Sequence, residues 1–415
     1  MNRYRDQQWL FWAILAGYSV SFLSIYVYHT YFAGAAVMRF FQDVPAMKEG
    51  IGFDLLVNTE SCSRCFREGI RSDGTMYFSP LFVILFYTLS RIDPVTLRWA
   101  SCAITLFSYV AVCLMLPRFW NGSSRVSCSS LFIMATGLTS YGLRFDLERG
   151  QWNAVAMLLT FLALVLKRSQ RRETRYLGYS LFILAVHLKL WPLIFIIGFA
   201  TPNAGWKTNV RRFLLFIAAN VALLFLLGPT FLKAYLITLT KRVGDPYLWF
   251  GNLSLYSFTE QVSEAHGWNP YFLACASWAF TITYILTLIF VFYRQWDGDN
   301  ILVLILCLLG ALLFPTTSHE YKLLLLTMGL ALFFACYRFA YIGMSLCAIT
   351  ERIAVLFIAM CYPVTLFSYV YKSTWDIFLK MNTFYLVVIA LAVMTLIWLR
   401  LVGHKLVPAK PESAL

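Results

Sequence analysis

The chain has 415 residues, of which 60% are hydrophobic, 18% aromatic and only 13% charged, and its mean hydropathy is +0.69. Soluble domains carry about 25% charged residues, so this composition excludes a water-soluble enzyme of the same size and a disordered chain alike. The 34 Lys+Arg against 20 Asp+Glu give a formal +14, which in so apolar a chain reads as topology-setting, headgroup-facing charge; no nucleic-acid-binding module is visible.

The apolar residues come in continuous runs rather than in alternation, which excludes an outer-membrane barrel and predicts an all-α, polytopic transmembrane bundle. A hydrocarbon layer about 30 Å thick takes about 20 helical residues. That ruler gives about twelve candidate spans, near 9–28, 77–89, 95–116, 128–143, 152–166, 177–199, 213–232, 271–293, 301–314, 323–337, 353–371 and 384–401. The first run is long, aromatic and without a small-residue cleavage site, so it reads as a retained signal-anchor. Arg3 and Arg5 before it predict a cytoplasmic N-terminus.

A polar excursion over 30–76 follows, expected as the first external loop, with Asp43, Asp54, Cys62 and Cys65 in it. Cys62-Ser-Arg-Cys65 has no second pair to complete a zinc set, so a local disulfide is the expected chemistry in an external loop. Most of the other cysteines lie inside apolar runs as small core residues. Arg144-Phe-Asp-Leu-Glu-Arg-Gly-Gln-Trp-Asn153 is a dense polar hairpin. Gly150 permits a tight turn there, and the amides of Gln151 and Asn153 suit a hydroxyl-rich ligand, or Asn153 simply caps the next helix.

The strongest basic cluster comes next, Lys167, Arg168, Arg171, Arg172 and Arg175, followed by Lys207, Arg211 and Arg212. Both clusters belong on the cytoplasmic side, yet one full span separates them. Either the run over 177–199 breaks at His-Leu-Lys-Leu-Trp-Pro and returns, or one basic loop is external. Lys189 lies in the middle of that run beside His187. An ionisable residue at a span centre costs about 2.5–3.5 kcal/mol and so marks a functional candidate. A second long loop over 233–270 carries Asp245, Pro246, Asn252, Glu260 and His266, and Thr316-Thr-Ser-His-Glu-Tyr-Lys322 forms a third polar knot. There Lys322 and His319 suit a phosphate, or the knot caps the helix that follows. Residues 1–402 read as one transmembrane domain and 403–415 as a short tail. The chain has no Walker A, G-x-G-x-x-G or H-E-x-x-H motif, and no cofactor or divalent metal is expected.

The order of these motifs resembles the GT-C membrane glycosyltransferases, in particular glycosyltransferase family 87. An Asp lies beyond the first span, and Tyr77-Phe-Ser-Pro-Leu-Phe82 opens the second. Gly150-Gln-x-Asn153, Lys189-Leu-Trp-Pro192 and a Ser-His-Glu-Tyr stretch near residue 320 follow. The resemblance covers roughly residues 50–325. It implies a GT-C fold and an inverting transfer of a monosaccharide, mannose being the family's precedent, from a polyprenyl phosphate to a lipid or glycan acceptor. The active site would face the non-cytoplasmic side of the inner membrane. Asp54 matches the family's general base, with Asp43 its rival. Lys189, His319, Lys322, Arg144, Glu148, Gln151 and Asn153 would bind donor phosphate or substrate. Where the family has a tryptophan near the late His motif, this chain has Thr317-Ser318-His319. Two other readings remain, a flippase for lipid-linked sugars and a non-enzymatic assembly subunit, and the lack of matched halves with paired broken helices speaks against the flippase.

Overall fold

A computed structural model describes residues 2–31, 51–69, 78–121, 126–200, 205–244, 252–293, 300–341, 345–367 and 382–406, and among them the fold is helical with one isolated β-bridge. Asp43, Asp245 and Pro246 lie outside the described residues. In chain order the helices are α1 (Asn2–Tyr31), α2 (Phe53–Glu68), α3 (Pro80–Leu89) and α4 (Pro94–Val110), which runs through a π turn (Ala111–Met115) into α5 (Leu116–Asn121). Then come α6 (Cys128–Gly137), α7 (Tyr141–Arg149), α8 (Asn153–Leu166), α9 (Arg172–Leu188), a 3₁₀ segment (Trp191–Phe199), α10 (Gly205–Leu224) and α11 (Pro229–Gly244). α12 (Leu255–His266), α13 (Pro270–Tyr293), α14 (Ile301–Leu313), α15 (Leu323–Cys336), α16 (Leu346–Phe367) and α17 (Asn382–Leu406) complete the order.

Local sequence sets these boundaries. The Ser79 hydroxyl accepts from the Phe82 amide at 3.3 Å and Pro80 opens α3. At α4 the Asp93 carboxylate accepts from the Thr96 amide at 2.9 Å ahead of Pro94, and Ser140 caps α7 through the Leu143 amide at 3.3 Å. Each cap satisfies a helix-terminal donor left open by the hydrogen-bond ladder.

Among the described residues four helices are long and apolar enough to cross a membrane, Pro94–Trp120, Pro270–Tyr293, Leu346–Leu366 and Asn382–Leu401. Counting each of two bent pairs as one broken span, α7 with α8 at 105° and α10 with α11 at 111°, brings the number up to six. The protein is therefore a multi-pass helical membrane bundle, but several of the dozen apolar runs are shorter than a span. α3, α6, α14 and α15 are short apolar helices. α14 and most of α15 are buried on every side, as expected of a helix that is apolar all round and inside a bundle. Hydrophobicity alone cannot separate that case from a lipid-facing span. α13 is the contrast: Tyr271, Phe272, Trp278 and Ile289 point outward. α1 packs along α16, where Gly17 lets the helix backbones meet at Ala359.

The first long loop contains the 16-residue α2, and the second contains α12. None of the ten cysteines is in a disulfide. Cys62 is buried on α2 in a cluster with Leu55, Phe82, Val83 and Leu97, so the thiol serves as a small core group rather than as half of the expected bridge.

The chain breaks within the expected 177–199 span. α9 ends at Leu188, Lys189 is extended (φ −148°, ψ 136°), and the 3₁₀ segment turns back. Trp191 meets Asn153, the first residue of α8, while Gly198 accepts from the Lys167 ammonium just past the end of α8. The 3₁₀ segment thus runs beside α8 and returns to the end where α9 began, which resolves the conflict between the basic loops: 167–175 and 207–212 share one end. Gln7 near the start of α1 donates to the Phe334 and Ala335 carbonyls at the far end of α15. Arg168 covers the Trp120 ring at 4.1 Å, and Arg400 pairs with buried Glu351 at 3.6 Å beside Tyr337. Lys322, by contrast, precedes α15 at its other end. The 14 residues of α15 put about 21 Å between the two ends.

Candidate active site

The polar hairpin builds the centre of the site. Gly150 at φ +61° ends α7, and Trp152 at φ +57° precedes α8, so Gln151 lies between two left-handed residues. A bulky side chain at positive φ is strained by about 1–3 kcal/mol and needs surroundings that hold it. Here the Trp152 indole N–H donates to the Ser101 hydroxyl at 2.6 Å, and the ring packs on Phe86. Gly150 sits so close to α2 that a Cβ would stand 2.7 Å from that of Leu55.

This turn presents its groups to the start of α2. The Gly52 amide donates to the Leu147 carbonyl at 3.2 Å and docks α2 on α7. Asp54, two residues on, accepts from Arg149 Nη1 at 3.1 Å through one carboxylate oxygen and from Gln151 Nε2 at 2.5 Å through the other. The Gln151 carbonyl in turn accepts from the Lys189 ammonium at 2.7 Å. A continuous chain therefore runs from Asp54 through Gln151 to Lys189, joining residues 135 positions apart in sequence. The Asp54 and Arg149 side chains keep 26% and 30% of their exposure, so the carboxylate is not sealed off.

Asn153 is fully buried. Its Nδ2 donates to Asp146 Oδ1 at 2.6 Å and its Oδ1 accepts from Trp191 Nε1 at 3.3 Å, so its amide is engaged at both ends within the scaffold. Glu148 is buried on α7 and Arg144 half-buried on the same helix; among the described residues the Arg144 side chain makes no ion pair.

The polar knot over 316–322 closes the opposite wall. Asn252, from the second long loop, donates to the Thr316 carbonyl at 2.8 Å and accepts from the Ser318 amide at 2.8 Å, and a β-bridge pairs it with His319. Lys322 Nζ reaches the Thr317 carbonyl at 3.3 Å. The His319 and Tyr321 rings lie 5.3 Å apart, Tyr321 contacts Phe145 at 5.7 Å, and Arg149 covers Phe145 at 5.3 Å. An aromatic ladder thereby links the knot to Asp54's partner. Removal from water pushes the Lys322 pKa down to about 7, and the positive charge of nearby Lys189 acts in the same direction. Two ammonium groups near enough to repel one another favour an anion beside them.

Sequence reasoning singled out Asp54, Gln151, Lys189 and Lys322 and named Asn252 in the second long loop, but gave no special place to Asp146, Trp152 or Trp191. Asp146 had one available signal, an acidic residue seven positions before an Asn that opens a helix.

The model of glycosyltransferase family 87 matches residues 77–318, more than half of the chain. No curated protein and no solved structure matches the chain.

Proposed function

The chain belongs to glycosyltransferase family 87, and from that premise we propose that it moves a monosaccharide from a polyprenyl phosphate to a hydroxyl of a lipid or glycan acceptor, with inversion. That it is a membrane glycosyltransferase follows from the family and the helical architecture. The donor, the sides and the residue roles are our reading, and the observation that carries it is the Asp54–Gln151–Lys189 chain.

In this reading Asp54 takes the proton of the acceptor hydroxyl as its oxygen forms a bond to the anomeric carbon. The bond from that carbon to the phosphate oxygen breaks, and the phosphate leaves on its prenol with the electron pair. Lys189 and Lys322 neutralise the departing charge through charge-assisted hydrogen bonds. One carboxylate suffices for a single displacement. Two ammonium groups supply the cation that a divalent metal would otherwise provide, so the reading requires none. Arg149 and Gln151 aim the carboxylate, and His319 and Arg144 border the donor.

The placement supports the non-cytoplasmic side. Lys167, Arg168 and Arg400 occupy one end of the bundle and Lys322 and Lys189 the other. Basic residues mark the cytoplasmic end, so the site opens to the opposite face. We read the fold as a GT-C bundle in which the dozen apolar runs are a mixture of full crossings and short inner helices.

The test is transfer by the purified protein in lipid nanodiscs, supplied with a radiolabelled polyprenyl-phosphate hexose and a lipid extract as acceptor. The expected result is label moving into a new product, with free polyprenyl phosphate released in equal amount. Movement of intact donor across a sealed bilayer without bond cleavage would overturn the reading in favour of a flippase.

A further inference from the structure

The geometry points to Asp146 as a positioning residue that sets Lys189 through a relay of two side chains, Asn153 and Trp191. This rests on the proposed role of Lys189 at the donor phosphate and adds to it the device that holds the ammonium in place.

Asp146 is fully buried on α7. Oδ1 accepts from Asn153 Nδ2 at 2.6 Å, and Asn153 Oδ1 accepts from Trp191 Nε1 at 3.3 Å. Trp191 is itself buried and stands two residues after Lys189, at the first position of the returning 3₁₀ segment. Lys189 is an extended residue between two helical segments, so its direction depends on what anchors the chain on either side. On one side α9 holds it, with the Lys189 amide donating to Ala185 at 3.0 Å. On the other, Trp191 is tied to Asn153 and through it to Asp146. The same aspartate reaches the other end of the catalytic chain, because its backbone carbonyl accepts from the Gln151 amide at 3.2 Å. One buried residue thus fixes both Gln151 and, through the relay, the segment carrying Lys189. The carboxylate also faces the first backbone amides of α8, those of Asn153 and Ala154, where the helix has no side-chain cap of its own. A negative charge there complements the helix dipole and keeps the Asn153 end of the relay fixed.

An anchor of this kind acts on where the ammonium stands, not on whether the protein folds, and the two can be separated kinetically. Trp191→Phe keeps an aromatic ring, a smaller one, and removes the N–H donor. Asp146→Asn keeps an oxygen acceptor for Asn153, and Asp146→Ala removes it. In the nanodisc assay we expect Trp191→Phe and Asp146→Ala each to raise the donor KM at least about tenfold, with acceptor KM unchanged. Asp146→Asn should recover most of the loss. The double variant should be no worse than the more damaged single variant, because both changes cut one relay. Multiplicative losses, or unchanged donor KM in both single variants with Lys189→Ala still defective, would overturn the relay and leave the role of Lys189 standing. Unchanged donor KM in Lys189→Ala itself would remove that role and the relay with it. If Asp146→Ala fails to accumulate in the membrane, the comparison of Trp191→Phe with Asp146→Asn decides: a relay predicts a donor-KM defect in the first and near-normal kinetics in the second.

Discussion

Gln151→Ala is the perturbation that separates this site from a set of polar residues that merely lie near one another. The side chain donates to Asp54 at 2.5 Å and accepts from Lys189 at 2.7 Å, so the substitution deletes two hydrogen bonds to charged groups. Such bonds contribute about 1.5–3 kcal/mol each when removed. Gln151 is only half-buried, and water recovers part of that, leaving about 2–4 kcal/mol of lost transition-state stabilisation. At about 1.4 kcal/mol per factor of ten, the expected fall in kcat/KM is about 30- to 700-fold. Since the residue lies on a turn and fills no part of the core, and water replaces part of both bonds, the loss of thermal stability should stay near that of a typical single substitution, about 1 kcal/mol. The assay is initial-rate transfer in nanodiscs, with the melting temperature measured on the same preparation. Because Gln151 works through Asp54, the Asp54→Asn/Gln151→Ala double variant should be no slower than Asp54→Asn alone. A loss below threefold, or fully multiplicative effects, would refute the chain from Asp54 to Lys189 as a functional unit.

Further outcomes follow from other parts of the structure. Gly150→Ala places a side chain at φ +61° and a Cβ 2.7 Å from that of Leu55, and the strain of a left-handed residue alone is about 1–2 kcal/mol. Both stability in chemical denaturation and kcat should fall, and normal values would show that the turn tolerates another conformation. Lys322, with its pKa lowered to about 7, is charged below that pH and neutral above it. The donor KM should therefore rise as pH passes upward through about 7, and Lys322→Arg, which stays protonated, should flatten this part of the profile. Persistence of the same rise in the arginine variant would assign it to another group. At the far end, Glu351 accepts from the Tyr337 hydroxyl at 2.7 Å and the Ala340 amide at 2.9 Å and faces Arg400. Glu351→Ala should cost about 3–5 kcal/mol by leaving these groups unpaired, with turnover per folded molecule unchanged; an unshifted melting temperature would contradict this.

What the sequence disclosed and what it withheld have separate physical causes. Lys189 was legible because a charged residue inside an apolar run is conspicuous; Gln151 stood out through the density of its polar hairpin, and Asp54 through its place in the order of motifs. The hydrogen bonds that join them were not legible, since partners so far apart in the chain meet only through the packing of α2 on the α7–α8 turn. Arg149 was legible as a charge but not as the partner of Asp54. Hydropathy marked α14 and α15 as apolar, but a short helix enclosed by neighbours and a lipid-facing span give the same signal, so the number of crossings was out of reach. The break at Lys189 was one of two solutions to the placement of the basic loops; Pro192 suggested it, and the contact of Gly198 with Lys167 selects it. Trp152 gave no signal at all, because nothing in a tryptophan's identity foretells a positive φ.

The most direct test is a single-turnover experiment with Asp54→Asn, using excess enzyme and radiolabelled polyprenyl-phosphate hexose with saturating acceptor. The account predicts that donor binding persists while transfer to the acceptor falls by at least about two orders of magnitude, the range expected for loss of a general base. Transfer at the wild-type rate by a folded, donor-bound Asp54→Asn enzyme would contradict it.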